Sequence, residues 1–143
     1  MHTNDPADKN KTTLKTVEEA IAGIACEEQS ILKHLERSEN AAEEFIEFLE
    51  DEPIQAWDVK TFRAYTPDGR YIFDETSCSL KVKKELLGKE NVIVNIIHLP
   101  EVEANKLLIK IKETFEVKDL NRIVFVDPAN EKRSKYFNGC LKK

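Results

Sequence analysis

The sequence predicts an α/β protein, with α+β as the alternative. A long N-terminal amphipathic helix or helical hairpin is expected, followed by a two-layer α/β domain of order β-β-(β or α)-β-α-β. Three observations lead there. From Leu14 to Leu49 there is no proline and one glycine, Gly23, in a run rich in strong helix formers. NVIVNIIHL and NRIVFVDP have the length and β-branched content of buried strands. Between them, PEVEANKLLIKIKETFEV opens with proline and carries Val102, Leu107, Leu108, Ile111 and Phe115 at helical spacing. Strand, helix and strand in that order predict a parallel crossover.

Taken in order, residues 1–12 are polar, offer nothing to bury and are expected to form a disordered tail. Residues 13–52 form the helical segment. Thr16 and Glu19 have capping-box spacing, and Pro53 closes the run. Alternate steps of three and four touch Leu14, Val17, Ile21, Ile24, Glu28, Ile31, Leu35, Ser38, Ala42, Phe45 and Leu49. Only Glu28 and Ser38 break this stripe, which is the heptad signal of helix-on-helix packing. Leu32, Ile46 and Phe48 widen it beyond a coiled-coil seam. Asn40 and Glu43 repeat the capping spacing, so ERSEN is the candidate turn of a helical hairpin.

Residues 54–128 form the α/β domain. VKTFRAY and RYIFDE flank TPDG and read as a hairpin, with Pro67, Asp68 and Gly69 supplying turn chemistry. SCSLKVKKELLG fits either a strand or a short helix ending at Gly88. Residues 129–143 are a basic, poorly patterned C-terminal tail.

A chain of 143 residues suits one globular domain, or a small domain with an appended helical element. It has no apolar run of about 18 residues, so no membrane span is expected. Its start lacks an apolar core of signal-peptide type, and the expected location is the cytoplasm. The net charge of −5 is unevenly spread. Residues 1–57 carry 14 acidic and 5 basic side chains; residues 58–143 carry 13 and 17. The two halves are therefore expected to attract each other, within a chain or between chains. Cys26, Cys78 and Cys140 are far apart with no CxxC, which removes the main feature of zinc ribbons. Cys140, beside Gly139 and Lys142, is the candidate reactive thiol.

Several chemistries lack their parts. Four scattered glycines exclude a dinucleotide fingerprint and a P-loop, and no G-x-S-x-G is present. A Cys78–His98 pair competes with a satisfied histidine at a strand end. In IACEEQSILKHLERSE a thiol, carboxylates and an imidazole lie close together. Di-metal helical bundles need a glutamate three residues before the histidine, but Ile31 stands there relative to His34. Glu27 is seven residues away and Cys26 reads as a small hydrophobe, so no metal is expected at this stretch.

Residues 24–39 resemble a helical motif of small spore-associated proteins of endospore-forming bacteria. Ile24, Ala25, Glu27, Glu28, Ile31 and Leu35 match; His34 is displaced by one position and the following glycine run is absent. The resemblance implies a self-associating helix and a spore association. It implies no chemistry.

The expected role is non-enzymatic interaction or assembly, through self-association or a partner protein. The interacting residues would be Leu14, Val17, Ile21, Ile24, Ile31, Leu35, Phe45 and Leu49. No cofactor is needed for that role. The alternative is a small Mg²⁺-dependent nuclease. The order α-β-β-β-α-β resembles the core of restriction-endonuclease-like nucleases, whose motif PD…(D/E)xK pairs two metal-binding carboxylates with a lysine that aids the attacking water. Under that resemblance the catalytic candidates are Asp58, Asp74, Glu75 and Lys60; Thr76 and Ser77 occupy the lysine positions after Asp74 and Glu75. A second alternative is non-catalytic nucleic-acid binding by Lys81, Lys83, Lys84 and Lys89, with Tyr65, Tyr71 and Phe73 nearby in sequence.

Overall fold

A computed structural model describes residues 14–38 and 44–143. The chain is a mixed α/β fold around one five-stranded sheet of order β1-β2-β3-β4-β5. Helix α1 (Leu14–Glu28) leads into β1 (His34–Arg37), β2 (Phe45–Leu49) and β3 (Glu52–Thr61), which form an antiparallel meander. Helix α2 (Glu75–Leu87) crosses to β4 (Asn91–Asn95), parallel to β3. Helix α3 (Glu101–Thr114) and the short α4 (Val117–Leu120) lead to β5 (Ile123–Val126), parallel to β4. Helix α5 (Glu131–Leu141) closes the described chain.

Two cores sit on the two faces of the sheet. Under α1 lie Leu35, Phe45, Trp57, Val59, Ile93, Val124 and Val126. On the other face Val92, Val94, Ile123 and Phe125 pack with α2, α3 and α5. Period-two alternation along β4 and β5 sorts these residues between the faces, and it explains why both strands read as continuous apolar runs. The expected strands in NVIVNIIHL and NRIVFVDP, the helix between them and their parallel pairing are all present.

The N-terminal region differs from its expected form. The helical segment 13–52 is a helix only as far as Glu28; residues 34–37 and 45–49 are strands of the same sheet as residues 54–128. Helix α1 ends in a Schellman motif. Ser30 N–H donates to the Glu27 carbonyl, Ile31 N–H donates to the Cys26 carbonyl, and Ser30 has φ of 58°. A serine does the work usually given to glycine. The β2–β3 hairpin turns on Glu50 and Asp51, both with positive φ, and again without glycine. Asn40, Glu43 and Ala42, and the tail 1–12, lie outside the described residues.

The heptad stripe is also not a seam. Val17, Ile21 and Ile24 are 38%, 46% and 47% exposed, while Thr16, Glu19, Ala22, Ala25 and Cys26 are buried. The buried side of α1 is its small-residue side. An added Cβ at Gly23 would stand 2.6 Å from the Phe45 ring, so the helix rests on the sheet at a distance that only small residues allow. The larger side chains are thereby left outside. Leu35 and Phe45 are core residues beneath α1, Ile31 is partly buried against them, and Leu49 is 48% exposed at the end of β2. The Leu14 side chain lies outside what is described.

Three further expectations change. RYIFDE is not a strand: only an isolated Tyr65–Tyr71 bridge spans the TPDG turn, where Gly69 has φ of 90°. SCSLKVKKELLG belongs to α2, capped by Asp74. The supposed tail 129–143 contains α5, which buries Phe137 and Leu141; the Asn138 side chain bonds both the N–H and the carbonyl of Phe125 on edge strand β5. Among the described residues, no helix is long and apolar enough to cross a membrane.

Gly23→Ala tests the close helix–sheet contact. In an exposed helix this change would add up to about 1 kcal/mol of stability. Here overpacking against Phe45 is expected to reverse the sign, with a net loss of about 1–2 kcal/mol in urea unfolding.

Candidate active site

The meander brings acidic groups from four elements together. Glu19 comes from the buried side of α1, held there by the same small-residue contact. Glu44 stands just before β2, and its carboxylate accepts a hydrogen bond from the Val59 N–H of β3. Asp58 and Lys60 are two apart on β3 and so share a side of the strand. Glu85 approaches from α2. Lys60 Nζ lies 3.2 Å from Asp58 Oδ2 and 3.6 Å from Glu85 Oε2. Arg37 Nη2 lies 3.4 Å from Glu19 Oε1.

These groups are withdrawn from water. The Glu19 and Asp58 side chains are 7% and 9% exposed. Glu19 Oε2 and Asp58 Oδ2 are buried with no hydrogen bond. Asp58 Oδ2 is nevertheless ion-paired, 3.2 Å from Lys60 Nζ. Burial foremost, then a hydrogen bond with Glu19 and the charge of Asp58, pushes the Glu44 carboxyl far above the usual carboxylate range. Burial also raises Asp58, to about 6; Lys60 opposes that shift and Glu85 adds to it. At Lys60 burial acts downward, but the Asp58 and Glu85 carboxylates outweigh it and the net shift is upward.

The arrangement is that of a proton-rich carboxylate cluster beside a fixed ammonium. Among the described residues, no group of three or more acidic, histidine or cysteine side chains is arranged to hold a metal ion. The Glu44 carboxyl instead hydrogen-bonds the Glu19 side chain. Carboxylate oxygens are the ligands Mg²⁺ and Mn²⁺ take, and Glu19, Glu44 and Asp58 are the residues that would hold such an ion once they closed on it and the Glu44 proton left.

The structure separates the sequence-derived candidates. Asp58 and Lys60 meet in the cluster. Asp74 does not: its Oδ1 accepts from the N–H groups of Thr76 and Ser77 and caps α2. Glu75 is the first residue of that helix. Glu19, Glu44 and Glu85 were not among the candidates, because two of them fell in a region that reads as a helical flank. The lysine sought after Asp74 stands two residues after Asp58, in Asp58-Val59-Lys60, and was legible as D-x-K.

The remaining candidates are placed elsewhere. His98 Nε2 contacts Glu18 rather than Cys78, and burial pushes the Cys78 thiol up to about 11. Cys140 is half-buried on α5, packed against the core and free of any disulfide. His34 is on a strand, with Nδ1 3.3 Å from Glu27 and Nε2 3.0 Å from Glu36.

The raised carboxyls set a pH dependence. A protonated carboxyl in the folded state and an ionised one in the unfolded state make stability fall as pH rises above the ordinary pKa of 4.5 for Glu44. The slope is at most about 1.4 kcal/mol per pH unit for one proton. Asp58 adds to the fall between 3.8 and about 6. With chelator present, Glu44→Gln should lose less stability than the parent between pH 5 and pH 8, as read by urea midpoints. Equal losses would remove Glu44 as a proton-holding group.

No family model matches this chain, and no curated protein or solved structure matches it either, so the chemistry of the site rests on its own geometry.

Proposed function

We propose that the protein is a divalent-metal-dependent nuclease. The observation that carries this reading is the meeting of Glu19, Glu44 and Asp58 with Lys60, withdrawn from water. The element order α1-β1-β2-β3-α2-β4 is that of the restriction-endonuclease-like core, and Asp58-Val59-Lys60 on β3 reads as its D-x-K. Glu44, just before β2, corresponds to the earlier carboxylate and bonds the backbone of β3.

The reaction is hydrolysis of a phosphodiester. The water oxygen bonds to phosphorus as the bond to the leaving sugar oxygen breaks; the water gives a proton to solvent, and the sugar oxygen takes one from solvent to leave as a hydroxyl. When bound, the cation polarises the phosphoryl oxygen and lowers the pKa of the attacking water. Glu19, Glu44 and Asp58 supply negative oxygens that retain it. Lys60, kept charged by Asp58 and Glu85, orients the water and stabilises charge building on the phosphate. Glu85 positions Lys60 through its carboxylate.

Incubation of the pure protein with single- and double-stranded DNA and RNA in Mn²⁺ or Mg²⁺ should give cleavage that chelator abolishes. Asp58→Asn and Lys60→Ala should each lower the rate by 100-fold or more, with the circular dichroism unchanged. Asp74→Ala should weaken α2 by about 1 kcal/mol and leave the rate intact. Absence of cleavage on all four substrates in both metals would remove the reading.

The exposed row Val17, Ile21 and Ile24 supports a second reading, self-association of two copies through α1. Light scattering at high concentration should then show a species above monomer mass that Ile21→Asp dissociates. A monomer throughout would end it.

A further inference from the structure

We propose that α2 is the track along which a nucleic-acid backbone approaches the carboxylate cluster, with Lys81 and Lys84 as its phosphate contacts. The proposal rests on the nuclease reading for its substrate class.

Three observations support it. Glu85 fixes which flank of α2 faces the cluster, because its carboxylate lies against Lys60. Lys81 is one turn before Glu85 and lies on that flank. Lys84, three residues after Lys81, lies beside it on the outer surface of α2, away from the buried positions Cys78, Ser79, Val82 and Leu86. Lys83 points the other way, into the groove lined by Leu86, Leu87, Thr114 and Phe115, and is not part of the track.

The second observation is charge. The nearby cations Lys60, Arg37 and Arg63 are each paired with a carboxylate: Asp58, Glu19 and Glu18. Lys81 and Lys84 are exposed and form no ion pair among the described residues. Their charge is therefore available to a ligand. The third observation is the setting. The chain carries a net charge of −5, and four acidic residues crowd the site. A polyanion can approach such a site only through a local positive potential, and α2 supplies the one adjoining it on the Glu85 side.

The test uses the full-length Asp58→Asn protein, which leaves the probe uncut. Fluorescence anisotropy is read with a labelled 20-nucleotide single strand and with the matching duplex, from 50 to 200 mM KCl. Adding Lys81→Ala and Lys84→Ala should weaken binding about 10-fold at the lower salt. The log–log salt slope should shrink by roughly 1.4 for the single strand or 1.8 for the duplex, two phosphate contacts in either case. The form that shows the loss identifies the substrate. Lys106→Ala with Lys110→Ala on α3 removes the same charge elsewhere and should leave the slope unchanged. Equal effects of the two pairs, or none from the α2 pair, overturn the proposal. Cleavage by the wild type alongside unaltered binding by the α2 pair would refute the track and leave the nuclease reading standing. Loss of binding in the α2 pair with no cleavage by the wild type would do the reverse.

Discussion

The close seating of α1 on the sheet is the constraint on which the rest depends. Gly23 lets the helix approach until a single added carbon would collide with the Phe45 ring. Ala22, Ala25 and Cys26 complete that contact, and burial pushes the Cys26 thiol up to about 12, so it behaves as a small hydrophobe. The same geometry carries Glu19 inward, to the point where β2 begins beside β3. A larger residue at the contact would lift the helix and withdraw Glu19 from Glu44. Packing and the acidic cluster are thus set by one helix–sheet distance. The cost is the exposure of Val17, Ile21 and Ile24 on the outer side of α1.

The sequence disclosed the second half well and the first half poorly, for physical reasons. Strands β4 and β5 are buried on both faces, so their apolar runs could not be mistaken for surface structure. Helix α3 has a proline at its start and a regular apolar face. In the first half the punctuation is missing. Ser30, Glu50 and Asp51 adopt positive φ, where glycine or asparagine is the usual signal. Strands of four and five residues rich in glutamate and leucine then extend a helical pattern by chance. The heptad count rewarded bulky residues, whereas close packing against the sheet selected small ones. Gly23 was visible as the one glycine in that run, and its meaning depended on the neighbour it met.

The site shows the same division. Asp58 and Lys60 are two residues apart on one strand, and their pairing needs no tertiary knowledge. Glu19 and Glu44 are 25 positions apart on elements whose contact follows only from the fold. Their recognition requires knowing that residue 44 is at a strand entrance rather than on a solvated helix flank. Asp74 looked like a catalytic acid because it ends an aromatic run, yet an aspartate before a helix more often satisfies free backbone N–H groups, as it does here.

A buried carboxylate elsewhere in the same protein is partnered differently. Glu47 is 7% exposed, but Trp57 Nε1 donates to one oxygen at 2.9 Å and the Lys33 N–H to the other at 2.9 Å. That acid is fully partnered and joins two strands to a loop. Glu19 and Asp58 are buried to a similar degree, but they face other carboxyls, Glu44 and Glu85, and their cationic partners Arg37 and Lys60 stand at 3.4 Å and 3.2 Å. An unsatisfied buried acceptor costs about 1–3 kcal/mol, more when charged. A fold that needed only packing would be better served by leucine or glutamine at those positions. The acids stand instead beside one another and beside a lysine that holds its charge, and burial keeps the Glu44 carboxyl protonated. The cation of the proposed reading, if bound, would take the place of that proton, so the stability the cluster costs the metal-free fold would be regained in the bound one.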